Sequence, residues 1–551
     1  MRRMQPPRPP ILDILLATIN ARHAHSSLSL RCLYANLGPL APRAQIVEFV
    51  SGARIEAMLE RLLAGQPRIV ALSVYMWNVA ESTRLVAMLR AVAPAIKVVL
   101  GGPEVSHETA GQPIVALADH VITGPGERAF ARLARQLLDG PAPLMKIIAG
   151  DTPGADALDE LASPYPWYSD DDIAHRHLYI EASRGCPFKC EFCLSSLDKT
   201  AWPFDTTRLL GDLRALHARG ARTFKFIDRT FNLNVAAARR ILEFFLEADE
   251  AAPDDPTFAH FELVPDHLPT ALRDTIARFA AGRLQFEIGV QTWNPEVQAR
   301  ISRRQHNERA EDNLRWLLAH TRAHLHVDLI VGLPGEDLAS FGRGFDRLYA
   351  IGPHEIQVGI LKRLRGAPIA RHTEAFDLRF NPEPPYNLLA SSDLSFFDMQ
   401  RMNRFARYWD LIGNSGRFVA TLPVITGDAP FARFLALSDW LYQHTDATHR
   451  IALDRLYRLV RQGLREESHR AEGDQRTEGD PAASGLKIAT DGSPMRRQAR
   501  FLRTPAASVD ASVDASVDTA VHTSAGPSFL AAPQDAPPVP AAQTARRSRS
   551  A

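Results

Sequence analysis

Three of the four cysteines in this 551-residue chain fall within one run, Gly185-Cys186-Pro187-Phe188-Lys189-Cys190-Glu191-Phe192-Cys193. The spacing is C-x3-C-x2-C, directly after an apolar, strand-like segment. Three thiolates on one loop can each take one iron of a cubane, which leaves the fourth iron without a protein ligand. An open coordination position is what catalysis needs, whereas structural metal sites are closed. A tetrahedral zinc site would need a fourth ligand at metal-binding spacing, and His175 and His177 precede the strand. A purely electron-transferring ferredoxin would want a fourth cysteine nearby. The remaining one, Cys32, lies far upstream on a helical pattern and reads as an ordinary buried thiol.

Two alternating series of elements must position this run. In the first, residues 11–19, 44–49, 69–74, 97–100 and 120–123 read as strands. Helical patterns cover 27–37, 54–64, 79–93 and 128–138. Continuous apolar strands separated by helices predict a parallel sheet covered on both faces, a Rossmann-like domain over 11–145. Glycine-rich turns, Gly101-Gly102-Pro103 and Gly124-Pro125-Gly126, follow its last two strands. Ligands of such sheets bind beyond the carboxyl ends of the strands. A proline-containing linker, 146–175, leads to the second series. Six strand candidates follow at 178–183, 223–227, 257–262, 284–289, 324–331 and 355–360. They alternate with helical patterns at 207–219, 236–249, 308–320 and 338–350. Six βα units predict a partial (β/α)6 barrel over 176–372.

A small, mainly helical domain is expected over 373–465, with amphipathic stretches at 395–412 and 431–463. Residues 1–10 and 466–551 read as disordered. The tail carries three tandem Ala-Ser-Val-Asp units and too little apolar surface to offset its ordering entropy. Apolar residues make up 45% and charged residues 23%, with a net charge of +1, so neither nucleic acid nor membrane is indicated as a partner. The few clustered cysteines and the short, Asp13-interrupted apolar run near the N-terminus point to a cytoplasmic protein.

The cysteine run, with aromatic Phe192 before its last cysteine, resembles the signature of the radical S-adenosylmethionine (SAM) superfamily. That resemblance implies a [4Fe–4S] cluster on Cys186, Cys190 and Cys193. It implies SAM on the open iron, cleaved to methionine and a 5′-deoxyadenosyl radical. By place in the barrel it assigns Phe192, Asp228, Glu287, Gln291 and Gly332 to SAM. The usual Gly-Gly-Glu after the second strand is replaced by Lys225-Phe226-Ile227-Asp228. A satisfied ion pair is the alternative for Asp228 and Glu287.

The first sheet resembles the cobalamin-binding domain often fused in front of this barrel. The matching loops are Asn20-Ala21-Arg22-His23-Ala24-His25-Ser26-Ser27-Leu28, Ser73 to Trp77, Gly101-Gly102-Pro103-Glu104 and Gly124-Pro125-Gly126-Glu127. Implied contacts are Asn20, Arg22, His25, Ser26, Ser73, Tyr75, Gly101, Gly102, Glu104, Gly124, Gly126 and Glu127. The Asp-x-His-x-x-Gly loop that supplies a cobalt ligand in many such domains is missing around His23 and His25. Cobalt ligation by one of them, cobalamin without a protein histidine, and a domain that binds nothing all stay open. Over residues 11–465 the chain resembles a subgroup of B12-binding radical enzymes ending in a helical domain of unknown role. The motifs are Ser195-Ser196-Leu197-Asp198-Lys199, Asp228-Arg229-Thr230-Phe231-Asn232 and Asn414-Ser415-Gly416-Arg417-Phe418.

The expected function is a cobalamin-dependent radical SAM enzyme, as a methyltransferase acting on an unactivated carbon. The alternatives are non-methylating radical chemistry with a degenerate cobalamin domain, and a non-catalytic redox or light sensor. Its partners would be a small-molecule substrate and an electron donor such as a flavodoxin or ferredoxin.

Overall fold

The structure, a computed structural model, describes residues 12–151, 154, 158–198 and 200–475. The expectations of disorder for 1–10 and for most of 466–551 lie outside those residues.

The first sheet is parallel and six-stranded, built from β1 (Ile14–Asn20), β2 (Ala44–Val50), β3 (Ile69–Ser73), β4 (Lys97–Gly101), β5 (His120–Thr123) and β6 (Ile147–Ala149). Its order is β2-β1-β3-β4-β5-β6, so the direction of winding reverses between β1 and β3. At such a reversal the loops leaving neighbouring strands diverge to opposite faces and open a crevice. Two separate cores flank the sheet. Leu15, Ala17, Val70, Leu72, Val98 and Leu100 pack on one side. Ile14, Leu16, Ile69, Ala71 and Val99 pack on the other. This two-sided burial is why the strands read as unbroken apolar runs. The sheet extends through Ala149, past the expected boundary at 145, because short β6 pairs with β5 where the sequence reads as linker.

The second sheet is also parallel and six-stranded. It comprises β7 (Leu178–Ile180), β10 (Thr223–Phe226), β11 (Phe258–Leu263), β12 (Leu284–Gln291), β13 (His324–Val331) and β14 (Glu355–Ile360), paired strictly in sequence. The first strand ends at Ile180, short of the expected 183. Ser183–Arg184 (β8) instead pairs antiparallel with Trp202–Pro203 (β9) and opens the cysteine loop.

The two faces of this second sheet differ. Phe224, Phe226, Ala259, Phe261, Phe286, Ile288, Leu325 and Val327 join the core with helix residues Phe245, Leu314 and Phe345. The alternate positions Lys225, His260, Glu287, His326, Asp328 and Gln357 share the concave face. The lumen is therefore lined with charge and hydrogen-bonding groups. A closed barrel would fill it with branched apolar side chains.

Beyond the barrel, a two-stranded hairpin, β15 (Arg379–Phe380) with β16 (Leu388–Ala390), precedes the helix Phe396–Ile412. That helix begins with a capping box between Ser395 and Asp398. The stretch expected as one helical unit over 431–463 is two helices, Pro430–Thr445 and Leu453–Gln475, broken after Asp446, which sits in the left-handed region. The last helix continues past 465, where the tail was expected to start. Phe405 and Trp409 stack on each other and meet Phe345 and Phe434 edge-to-face, and Phe431 lies tilted against Phe345 and Phe405. The C-terminal region thus shares a core with the barrel.

Candidate functional site at the edge between two sheets

The cysteine loop leaves β8 at Gly185, whose φ is +96°. A Cβ there would lie 2.2 Å from the Thr200 carbonyl oxygen, so the turn into Cys186 requires glycine. Cys186 N–H donates to the Asp198 carbonyl at 3.1 Å. Cys186 and Cys190 are buried and Cys193 is half-buried. Burial pushes the Cys186 thiol up to about 11, helped by the neighbouring charges of Cys193 and Cys190. Burial also raises Cys190, with Arg303 acting against it. Three sulfurs that repel one another as thiolates form a donor set that a cationic group would relieve. Among the described residues no three His, Cys, Asp or Glu side chains group as ligands of a metal ion. Cubane ligands each take a different iron and need not converge on one point.

Glu191, inside the run, is the loop's anchor. Its carboxylate is buried and accepts from Ser302 Oγ at 2.5 Å, His372 Nε2 at 2.8 Å and Arg371 Nη2. Its backbone bonds both Ile301 and Ile369, at 3.1 and 2.8 Å. Sequence reasoning gives Glu191 no role, because all these partners lie more than 100 residues away.

The carboxyl edge of the first sheet faces this region. His177 N–H donates to the Ala24 carbonyl at 2.8 Å, and Ser26 Oγ donates to the His177 carbonyl at 2.6 Å. His25 Nδ1 lies 2.6 Å from the Tyr179 hydroxyl. Asn20 Nδ2 donates to the His25 carbonyl at 2.9 Å, and the charge of Arg22 reaches Arg407 on the helix Phe396–Ile412. Glu127 takes Arg184 Nη1 at 2.9 Å, and Arg184 also grips Glu181. Glu104 takes Arg365 Nε at 2.7 Å and the Tyr386 hydroxyl at 2.5 Å. The polar tips of Glu104, Glu127 and His25 are thus engaged with residues of the following domains. Four expected positions remain at the edge as backbone: Gly101, Gly102, Gly124 and Gly126. Gly102 has φ +106°, and a Cβ would approach the Val74 carbonyl oxygen to 2.5 Å. A Cβ on Gly124 would point into open space. Tyr75 stacks on Trp77 at 4.3 Å, its hydroxyl 2.9 Å from Ser29 Oγ, which also lies 3.3 Å from Ser73 Oγ. The Trp77 indole N–H is buried with no hydrogen-bond partner among the described residues, an orphan donor beside the strand-order reversal.

Family comparison agrees with this geometry domain by domain. Residues 180–347 match the radical SAM superfamily, and residues 18–134 match the B12 binding domain. Residues 374–475 match a protein family of unknown function, DUF4080. The chain carries a radical SAM domain, a B12-binding domain and a DUF4080 C-terminal domain. Among curated relatives, it is 27% identical over 366 residues to the cobalamin-dependent radical SAM methyltransferase TokK of Streptomyces tokunonensis, covering 58% of this chain and 51% of TokK. It is also 27% identical over 345 residues to the 2-(S-pantetheinyl)-carbapenam-3-carboxylate methyltransferase of Streptantibioticus cattleyicolor, covering 56% and 49%. The chain spans about half the length of these relatives. Two solved structures share the fold. TsrM from Kitasatospora setae, with cobalamin and [4Fe–4S] cluster bound, aligns with TM-score 0.56 and 17% identity over 70% of this chain and 82% of that one. OxsB, with aqua-cobalamin and S-adenosylmethionine bound, aligns with TM-score 0.56 and 14% identity over 89% and 83%.

Within the radical SAM domain the remaining expected positions line the barrel mouth and lumen. Phe192 is half-buried against the barrel core. Asp228 is buried after β10 and accepts from Ala182 N–H at 2.9 Å and Ser183 Oγ at 2.6 Å. Burial pushes its carboxyl up to about 7. Arg229, its neighbour in sequence, pairs with Glu262 instead. Glu287 lies 3.4 Å from His260 Nε2. Burial would raise Glu287, but His260, His326 and Lys225 outweigh it and hold the carboxyl below its usual range. Gln291 ends β12 at φ +69°, and its Oε1 is buried without a hydrogen-bond partner among the described residues. Gly332 has φ +91°, and a Cβ there would meet Leu388 at 2.5 Å. Sequence reasoning missed His260, His326, Asp328 and Arg303. The signal available for the first three was the alternation of polar residues along β11 and β13.

Proposed function

We propose that the chain is a cobalamin-dependent radical SAM methyltransferase acting on a small-molecule substrate. The observation that carries this reading is the position of the C-x3-C-x2-C loop, set at the barrel edge with the loops of the B12-binding domain joined to it through Arg184 and Glu127. Cys186, Cys190 and Cys193 would hold a [4Fe–4S] cluster. Gln291, whose buried Oε1 lacks a partner among the described residues, and the backbone around Gly332 would hold SAM, with Phe192 beside the adenine. Gly101, Gly102, Gly124 and Gly126, with the orphan Trp77 N–H, would hold cobalamin. When bound, these groups supply a 5′-deoxyadenosyl radical and a transferable methyl group.

The protein's own part is position and exclusion of water. Glu191 pins the cysteine loop, Gly185 permits its entry, and the carboxyl of Asp228 fixes the segment Ala182–Ser183 that precedes it. The lumen residues His260, Glu287, His326 and Asp328 offer a substrate hydrogen bonds rather than an apolar wall. The TokK, TsrM and carbapenam relatives support methyl transfer for this chain by analogy. A flavodoxin or ferredoxin would supply the electron. No helix among the described residues is long and apolar enough to cross a membrane.

The test is anaerobic reconstitution with iron, sulfide, cobalamin, SAM and a strong reductant. The expected products are 5′-deoxyadenosine and S-adenosylhomocysteine, with cobalamin retained through gel filtration. Cys190→Ala should abolish the charge-transfer absorption of the cluster. A parent protein that yields neither product, even with cell extract as a source of substrate, overturns the proposal.

A further inference from the structure

One charged side chain near the cysteines is not among the expected ligands or contacts. Arg303 leaves the loop after the helix Pro295–Arg300 and points its guanidinium at the cysteine loop. Its Nη1 lies 3.6 Å from Cys190 Sγ, a distance suited to an N–H···S hydrogen bond. Its Nη2 donates to the Gly289 carbonyl, and Nε and Nη2 both donate to Gln305 Oε1, at 3.1 and 2.8 Å. Gln305 is fixed in turn, since its Nε2 donates to Asn307 Oδ1 at 3.0 Å. The planar fork is thereby held by three anchors, and the sulfur is only one of them.

From this geometry we infer that Arg303 is a positioning residue that sets the reduction potential of the cluster through Cys190. The inference rests on the cluster assignment made above. A cationic donor aimed at a ligand sulfur withdraws electron density from it and favours the reduced cluster, which carries one more negative charge. The half-buried setting matters because a fully hydrated charge at this distance would be screened. The Gly289 anchor places this cation at the barrel mouth, beside the strand end that carries Gln291. Its charge also reaches Asp328 in the lumen.

The test uses the full-length protein reconstituted anaerobically, with the midpoint potential read by EPR-monitored titration. Arg303→Gln removes the charge while keeping a polar side chain. Its potential should fall below that of the parent, and Arg303→Lys should recover part of the difference. Gln305→Ala leaves Cys190 and Arg303 in place but frees the guanidinium, so it should move the potential in the same direction by less. Equal potentials in parent, Arg303→Gln and Gln305→Ala overturn the inference while leaving the cluster assignment standing. If Arg303→Gln takes up no cluster, Gln305→Ala decides. Failure of both to load, with circular dichroism unchanged, would make Arg303 an assembly residue and overturn the inference as well. A parent without any cluster would instead refute the reading on which it rests.

Discussion

At the scale of single residues, the cysteine triad was legible because its three members fall on one loop and carry their spacing in the chain itself. Asp228 was legible as a position but not as a chemical state. Its neighbour Arg229 suggested an ion pair, yet Arg229 turns to Glu262 and Asp228 is left among neutral donors. A carboxyl whose folded value is raised to about 7, against an ordinary 3.8, binds its proton more tightly in the fold. Its contribution to stability is therefore complete below about pH 4 and is lost as pH rises toward 7. Asp228→Asn should flatten the melting-temperature profile between pH 4 and about 7 and narrow the deficit of the parent above it. A tenfold gain in proton affinity on folding is worth about 1.4 kcal/mol, which caps the effect at a few kcal/mol. Parallel profiles for the two proteins would show that Asp228 is not the group responsible.

At the scale of elements, strands and helices were read within a few residues wherever a long periodic pattern existed. The misses among the strands have a common cause. β6 and β7 are three residues each, and β8 and β9 are two, too short for any period to register. The loops they lead into are held by contacts distant in sequence. Glu191→Ala would leave Ser302, Arg371 and His372 without their acceptor and loosen the cysteine loop. Losing a group that orients metal ligands costs about 10–100-fold in metal affinity, so iron should be lost to a chelator much faster than from the parent. Iron retention equal to the parent's would remove Glu191 from its anchoring role. Gly102→Ala forces an alanine to φ +106° with its Cβ against Val74. The expected penalty is about 1–3 kcal/mol, with reduced cobalamin retention after gel filtration. An unchanged melting temperature would mean the turn can relax.

At the scale of the whole molecule, arginines clamp the B12-binding domain onto the domains that follow it. Arg31 bridges Glu48 at 3.2 Å and Asp172 at 2.6 Å, with all three side chains buried. Arg176 reaches both acids as well. Arg184 takes Glu127, while Arg363 and Arg365 take Glu108 and Glu104. Removing one partner of a buried pair leaves an uncompensated charge and costs about 3–5 kcal/mol. Arg31→Ala should destabilise the protein by that amount in a denaturant titration, and adding Asp172→Asn should restore part of it. Additive losses in the double variant would mean the two residues do not act as a pair. These clamps also explain why Glu104 and Glu127, read from sequence as cobalamin contacts, have their carboxylates turned to arginines of the barrel and its outgoing segment.

The sequence alone determined the C-x3-C-x2-C run and the two alternating series of strands and helices. Each is written in local spacing or period, and local patterns survive without knowledge of the fold. Only the tertiary structure decided which charges meet. Arg303 with Cys190, Glu191 with Arg371 and His372, and Arg184 with Glu127 are joined across 113, 180 and 57 residues of chain or more. No periodicity encodes such partners. They arise because parallel strands bring loops from every βα unit to one edge, where charge and shape select them. The C-x3-C-x2-C run thus specified what could be bound, and the packing of the two sheets specified what surrounds it.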